Sequence, residues 1–159
     1  MSHQITCRPV GRVCTENNRF ILDIDPEFSP ALEALAGFSH IQVLWWAHES
    51  DTEEGRAALT VNSPYKGSPE TLGIFATRSE SRPNPVMLTT APIIHVDIKA
   101  GQVELGWLDA QDNSPIIDIK PYQPCFDRVR EVQLPEWCAH WSAWQEDSGE
   151  FDWSAVFNF

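Results

Sequence analysis

No stretch of the 159-residue chain reaches eighteen consecutive apolar residues, so no segment is expected to cross a bilayer as a helix and no membrane partner is expected. The opening residues, Met1-Ser2-His3-Gln4-Ile5-Thr6, lack the basic-then-apolar layout of a secretory leader, which predicts a cytoplasmic protein. Four cysteines (Cys7, Cys14, Cys125 and Cys138) form no Cys-x-x-Cys pair and read as reduced thiols. Cys138 and His140 stand close enough for one corner of a metal site, but no second pair matches them, so no metal is expected. Basic charge is scarce: 11 Lys+Arg face 23 Asp+Glu, a formal net charge of −12. A protein that grips nucleic acid through its phosphates normally shows a basic face, and here the cations are scattered with no basic run. Composition therefore speaks against DNA as a partner and weighs against tRNA, although a local patch can outvote net charge.

The apolar pattern is that of strands. Val10 to Cys14 and Arg19 to Ile24 read as a hairpin around the polar turn Thr15-Glu16-Asn17-Asn18. Ser29 as N-cap and Pro30 at the first helical position open a short helix, Ala31 to Ala36, that Gly37 stops. Residues 39–48 form a strong strand, with Ile41, Val43, Trp45 and Ala47 on one face and His40, Gln42, Leu44, Trp46 and His48 on the other. The second face mixes polar and aromatic groups, as a pocket lining or a subunit contact would. Glu49 to Glu54 is an acidic excursion, and Asn62 to Glu70, with two prolines and a glycine, is a loop. Leu72 to Ala76 reads as a buried strand. Val86 to Ile98, Val103 to Leu108 and Ile116 to Ile119 follow, separated by turns at Lys99–Gln102 and Asp109–Pro115. About seven short strands, one or two short helices and no βαβ alternation predict a mainly β protein closed as a barrel or folded as a sandwich.

Beyond Asp127 the character changes. Trp137, Trp141, Trp144 and Trp153 fall in the last quarter, among Glu136, Glu146, Asp147, Glu150 and Asp152. Such aromatics favour burial, so residues 128–159 read as an extension packed on a domain of residues 1–127 or across a dimer. An aromatic lid over a substrate pocket is the other reading.

Between the apolar run ending at Ala76 and the strand starting at Val86 lies a polar loop with Arg78 and Arg82, stiffened by Pro83 and Pro85. Two guanidinium groups four residues apart in so acidic a chain suit a bound anion or carboxylate, or pairing with Glu80 and its neighbours. The stretch Gly73-Ile74-Phe75-Ala76-Thr77-Arg78-Ser79-Glu80-Ser81-Arg82-Pro83-Asn84-Pro85 resembles the signature of the TrmO family, also called TsaA-like or YaeB-like. Two more stretches agree in order. Phe38-Ser39-His40 through His48 resembles the family's Phe-Ser-His strand, and Leu108-Asp109 through Asp118-Ile119-Lys120-Pro121-Tyr122 resembles its third motif. The resemblance covers roughly residues 9–127, and three long ordered matches are far more specific than one short motif.

The resemblance implies a small closed β-barrel that transfers a methyl group from S-adenosylmethionine to N6 of N6-threonylcarbamoyladenosine in tRNA, working as a homodimer with its site near the subunit interface. It further implies that His48, Glu49, Arg78, Leu88, Leu108 and Asp109 contact the cofactor. Arg82, Asn84, Asp112 and Lys120, with Asp118, fall on family positions that brace loops or touch substrate. No residue is singled out as the general base. The chain also departs from the family. It has no Pro-Arg-Gln triplet before the Phe-Ser-His strand, Met87 and Glu49 stand where the family has glycine and glutamine, and Asp112-Asn113-Ser114 replaces Asp-Gly-Thr. A methyltransferase for a small molecule and a non-catalytic binding module on the same barrel are the alternatives.

Overall fold

A computed structural model describes residues 5–158. Six strands, β1 (Gly11–Glu16), β2 (Arg19–Ile24), β3 (His40–Trp46), β6 (Val86–Asp97), β7 (Gln102–Leu105) and β8 (Pro115–Pro121), close a barrel in the order β1-β2-β7-β6-β3-β8. Every neighbouring pair is antiparallel. The remaining two strands, β4 (Thr60–Asn62) and β5 (Thr71–Gly73), pair with each other outside it. The fold is thus the expected small barrel, with six strands in the wall rather than about seven.

Period-two alternation fills the interior. Ile41, Val43 and Trp45 on β3 meet Val13, Leu22, Ala91, Val103, Leu105 and Ile116 from the other walls, all at most 1% exposed. Trp45 brings a polar N–H into this core, and its Nε1 donates to Thr89 Oγ1 at 3.0 Å, so the donor is not stranded. The end of the barrel is plugged by Leu32 and Leu35.

Three expectations need correction. The helix over Ala31–Ala36 is two 3₁₀ turns, Ser29–Leu32 and Leu35–Gly37, divided by Ala34 at φ +64°, and Ser29 caps nothing. The break at Glu33 and Ala34 lets each turn bury its own leucine, Leu32 from the first and Leu35 from the second. Leu72–Ala76 is not one strand: β5 ends at Gly73, and Ile74–Ala76 is a 3₁₀ turn that buries Ile74 and leaves Phe75 80% exposed. The loop from Asn62 to Glu70 is a hairpin turn between β4 and β5, and the strand over Thr60–Asn62 was hidden by the prolines and glycine that follow it. The acidic excursion holds α1 (Glu53–Ala57), whose first turn is capped by Thr52 Oγ1 accepting from Gly55 N at 2.9 Å. Among the described residues no helix is long and apolar enough to cross a membrane.

The C-terminal stretch adds no strand to the barrel. After the single turn α2 (Pro124–Asp127) it doubles back onto the β4–β5 turn, where Lys66 N donates to Val156 O at 2.8 Å and Asn158 Nδ2 donates to Ser63 O at 2.8 Å. Tyr65 stacks on Trp137 at 5.3 Å between centroids and meets Trp141 edge-on at 5.0 Å; Trp141 in turn meets Trp153 at 5.7 Å. Three of the four tail tryptophans are therefore structural.

Candidate functional site

The site follows from how β6 is paired. Its residues Val86 to Pro92 lie against β3, whereas β7 reaches it only from Ile93 onward. The first half of β6 thus leaves one edge without a strand, and an uncovered edge demands other partners for its backbone. Two carbonyls there, two residues apart, receive side chains. Arg78 Nη2 donates to Leu88 O, and Gln145 Nε2, reaching in from the tail, donates to Thr90 O. Between these two anchors lies a cavity of about 510 Å³ lined by Gln42, Leu88 and Thr90 of the barrel, Arg78 and Asp109 of two loops, Trp107, and Ser142 to Gln145, Ser148 and Trp153 of the tail.

The loop that carries Arg78 is held at several points. Ile74 buries its side chain, Thr77 Oγ1 donates to Ile74 O at 2.8 Å, Ser79 N donates to Thr77 Oγ1 at 3.3 Å, and Pro85 is fully buried. Arg82 Nη1 donates to Ser79 O at 3.2 Å. Glu80 accepts from Ser50 Oγ at 3.0 Å and is bound there rather than to an arginine. Arg78 therefore projects from a fixed backbone and lines the cavity, with one N–H on Leu88 O and no other side-chain hydrogen bond among the described residues. Asp109 is placed by its neighbour: Leu108 is 2% exposed in the core, which anchors the loop and turns the next side chain outward to the cavity.

The other candidates sit elsewhere. His48 and exposed Glu49 lie in the 3₁₀ turn after β3, where His48 Nδ1 is 3.3 Å from the buried Ser114 Oγ. Neither lines the cavity, and Leu108 meets it only through Asp109. Ala47 N donates to Pro85 O at 2.9 Å, tying that turn to the end of the arginine loop. Asp112 accepts from Thr15 N at 2.8 Å and from Asn113 Nδ2 at 2.7 Å, joining two turns. Lys120 pairs with Asp118 at 2.6 Å on the surface. Asn84 lines a larger groove of about 770 Å³ with Trp46, Arg56, Val86 and Ile117. There Asp51 accepts hydrogen bonds from Arg56 and from Trp46 Nε1, and these hold its carboxyl below the usual carboxylate range. The larger groove takes four residues of the motif stretches, Trp46, Asn84, Pro115 and Ile117, of which only Asn84 is a predicted site residue; the smaller cavity brings together three predicted cofactor contacts, Arg78, Leu88 and Asp109, and is the candidate site on that ground.

Sequence reasoning placed Gln42 on the outward face of β3, read as a pocket lining or a subunit contact, without singling it out as a site residue. It passed over Trp107 and Gln145, and it named Trp144 only among the tail tryptophans, for which a lid over a substrate pocket was one of two readings. Trp107 precedes the Leu108-Asp109 motif; nothing in the order of residues brings Trp144 and Gln145 to the same place. The cavity offers a guanidinium fork for a carboxylate, a carboxylate for an ammonium or for sugar hydroxyls, and Leu88, Trp107 and Trp144 as walls for a flat ring. That donor set fits an amino-acid-bearing nucleoside such as S-adenosylmethionine.

Comparison with known proteins gives a consistent picture. The profile of the tRNA-methyltransferase O N-terminal domain matches residues 5–128. A probable S-adenosyl-L-methionine-binding protein of Pyrococcus horikoshii is 39% identical over 125 residues, 77% of this chain and 86% of that one. The tRNA (adenine(37)-N6)-methyltransferase of Escherichia coli is 36% identical over 119 residues, 74% of this chain but only 50% of that enzyme. The crystal structure of TrmO from Pseudomonas aeruginosa superposes with a TM-score of 0.61 at 27% identity, covering 84% of this chain and 62% of that one. The chain thus spans half to two thirds of the length of these two bacterial relatives.

Proposed function

This chain belongs to the tRNA-methyltransferase O N-terminal domain family, and on that premise we propose that it is an S-adenosylmethionine-dependent methyltransferase acting on N6 of a modified tRNA adenosine, N6-threonylcarbamoyladenosine. The observation that carries the reading is the meeting of Arg78, Leu88 and Asp109 at one cavity on the open edge of β6. When bound, the cofactor supplies a methyl group already activated on its sulfonium. What remains for the chain is positioning. Arg78 holds a carboxylate from a loop with little freedom left to lose, Asp109 holds an ammonium or a ribose, and the aromatic and aliphatic walls exclude water from the ring.

The same reading makes the protein cytoplasmic and dimeric. The groove lined by Trp46, Val86 and Ile117 is apolar and faces outward, and a second copy would cover it; light scattering should then give twice the 18.0 kDa chain mass. Charge supports a second reading for the acceptor. Arg8, Arg12, Arg19, Arg56 and Lys120, five of the 11 cations, are already committed to Glu27, Asp23, Glu104, Asp51 and Asp118, which favours an acceptor smaller than tRNA.

The test is calorimetric titration with S-adenosylmethionine and S-adenosylhomocysteine, followed by incubation with tRNA and mass spectrometry of its nucleosides. One site per chain and a methyl-group gain on the modified adenosine are expected. Binding without transfer to tRNA would leave the cofactor reading and move the acceptor to a small molecule. Absence of binding at millimolar ligand would sink the enzyme reading.

A further inference from the structure

Trp144 stands apart from the other tail tryptophans. Trp137, Trp141 and Trp153 pack with Tyr65, Phe151 and Phe157 into one aromatic cluster. Trp144 makes no ring contact among the described residues, is 63% exposed, and lines the cavity with Arg78. Trp107, on the barrel side of the same cavity, is also free of ring contacts and 48% exposed. A tryptophan buries some 150–250 Å² when packed, so leaving two of them open at one site forgoes much apolar burial.

Trp144 is nonetheless fixed. Ser142 Oγ donates to its carbonyl at 2.8 Å, closing the turn before it, and the next residue, Gln145, is pinned to Thr90 O on the edge of β6. Its backbone is therefore set before any ligand arrives, and an exposed ring on a set backbone stacks at low entropic cost. Around it the cavity is polar: Gln42, Thr90, Ser142 and Ser148 line it with amide and hydroxyl groups, the kind of partner a heteroaromatic edge takes. Residue 144 lies outside the segment matched by the family profile.

We propose that Trp144 is a specificity-determining residue whose ring stacks on an adenine in this cavity. The inference rests on the methyltransferase reading, and the adenine belongs either to the cofactor or to the acceptor nucleoside. Three proteins decide it: wild type, Trp144→Ala and Trp144→Phe, each checked for an unchanged melting temperature. Each is titrated with S-adenosylhomocysteine and assayed for KM with tRNA carrying the modified adenosine. Stacking of one base on an aromatic side chain corresponds to a change of roughly 5- to 150-fold. A loss of that order in S-adenosylhomocysteine affinity for Trp144→Ala assigns the cofactor's adenine. The same loss in KM for tRNA, with S-adenosylhomocysteine binding intact, assigns the acceptor. In both cases Trp144→Phe, which keeps a ring face, should recover most of the effect. A folded Trp144→Ala that matches wild type in both measurements overturns the inference while leaving the methyltransferase reading in place. A wild type that neither binds S-adenosylhomocysteine nor methylates tRNA removes both.

Discussion

Replacing Arg78 by alanine should separate what this residue does for the ligand from what it does for the fold. In the structure one of its N–H groups is spent on Leu88 O and the side chain lines the cavity. A lost hydrogen bond to a charged group is worth about 1.5–3 kcal/mol, or roughly 10- to 150-fold in affinity. The side chain is exposed, so losing its bond to a strand-edge carbonyl should cost stability no more than about 1 kcal/mol, a drop of about 2–4 °C in a protein of this size. Calorimetry with two probes isolates the contact. S-adenosylhomocysteine carries the amino-acid arm, and methylthioadenosine is the same nucleoside without it. If Arg78 holds the carboxylate, Arg78→Ala weakens the first by the stated factor and leaves the second alone. Arg78→Lys should fall between, because an ammonium cannot serve both Leu88 O and a bidentate carboxylate. Equal losses for both probes would show that Arg78 shapes the cavity rather than binding the arm. Unchanged affinity for both in a folded variant would refute the assignment.

Further expectations concern the barrel and its charges. A methyl group at Gly11 would sit 2.2 Å from Asp23 O across the β1–β2 pair, so Gly11→Ala should lose about 1–3 kcal/mol, or roughly 2–12 °C of melting temperature; an unchanged value would mean the strands part easily. Asp51 is held below its ordinary value of 3.8 by hydrogen bonds from Arg56 and then Trp46. Its stabilisation is therefore present above the unfolded value and lost as pH falls through the lower folded one. Asp51→Asn should melt below wild type at pH 7, with the gap closing under about pH 3.8, and a gap independent of pH would remove this carboxylate from the account. If tRNA is the acceptor, the salt slope of its binding should be no steeper than about −5, because five of the 11 cations are held in ion pairs and six are left to displace counterions; a steeper slope would show that those pairs open on binding.

What was legible in the sequence was whatever rested on short-range chemistry. The inward residues of β3 were readable from alternation because the side-chain period of a strand is two whatever its neighbours do, and Ile41, Val43 and Trp45 are at most 1% exposed. Leu72 to Ala76 misled because a short apolar run carries no period, so nothing in it forecasts that Phe75 turns outward while Ile74 turns in. The Ala31–Ala36 stretch had caps and helix formers but was too short to overcome the cost of nucleation, and packing of Leu32 and Leu35 decided its shape instead. In the site, the arginine loop and the Leu108-Asp109 pair could be read as motifs. That both meet at an open strand edge depends on where β7 stops pairing with β6, which no local pattern encodes.

The two walls of the cavity come from different parts of the chain. The floor comes from β3, β6 and the two motif loops, all within residues 5–128 that the family shares. The opposite wall, Ser142 to Gln145 with Ser148 and Trp153, comes from residues beyond it, and the Escherichia coli enzyme, of which this chain spans only 50%, has a different extent altogether. Glu146, Asp147, Glu150 and Asp152 are interleaved in sequence with that wall, so the tail beside the cavity carries negative charge. A ligand half held by the floor needs no help from the tail, whereas a polyanion approaching the tail meets like charge within a Debye length of about 8–10 Å. The predicted cofactor contacts Arg78, Leu88 and Asp109 thus all lie on the floor that falls within the family-matched segment, and none lies on the tail wall.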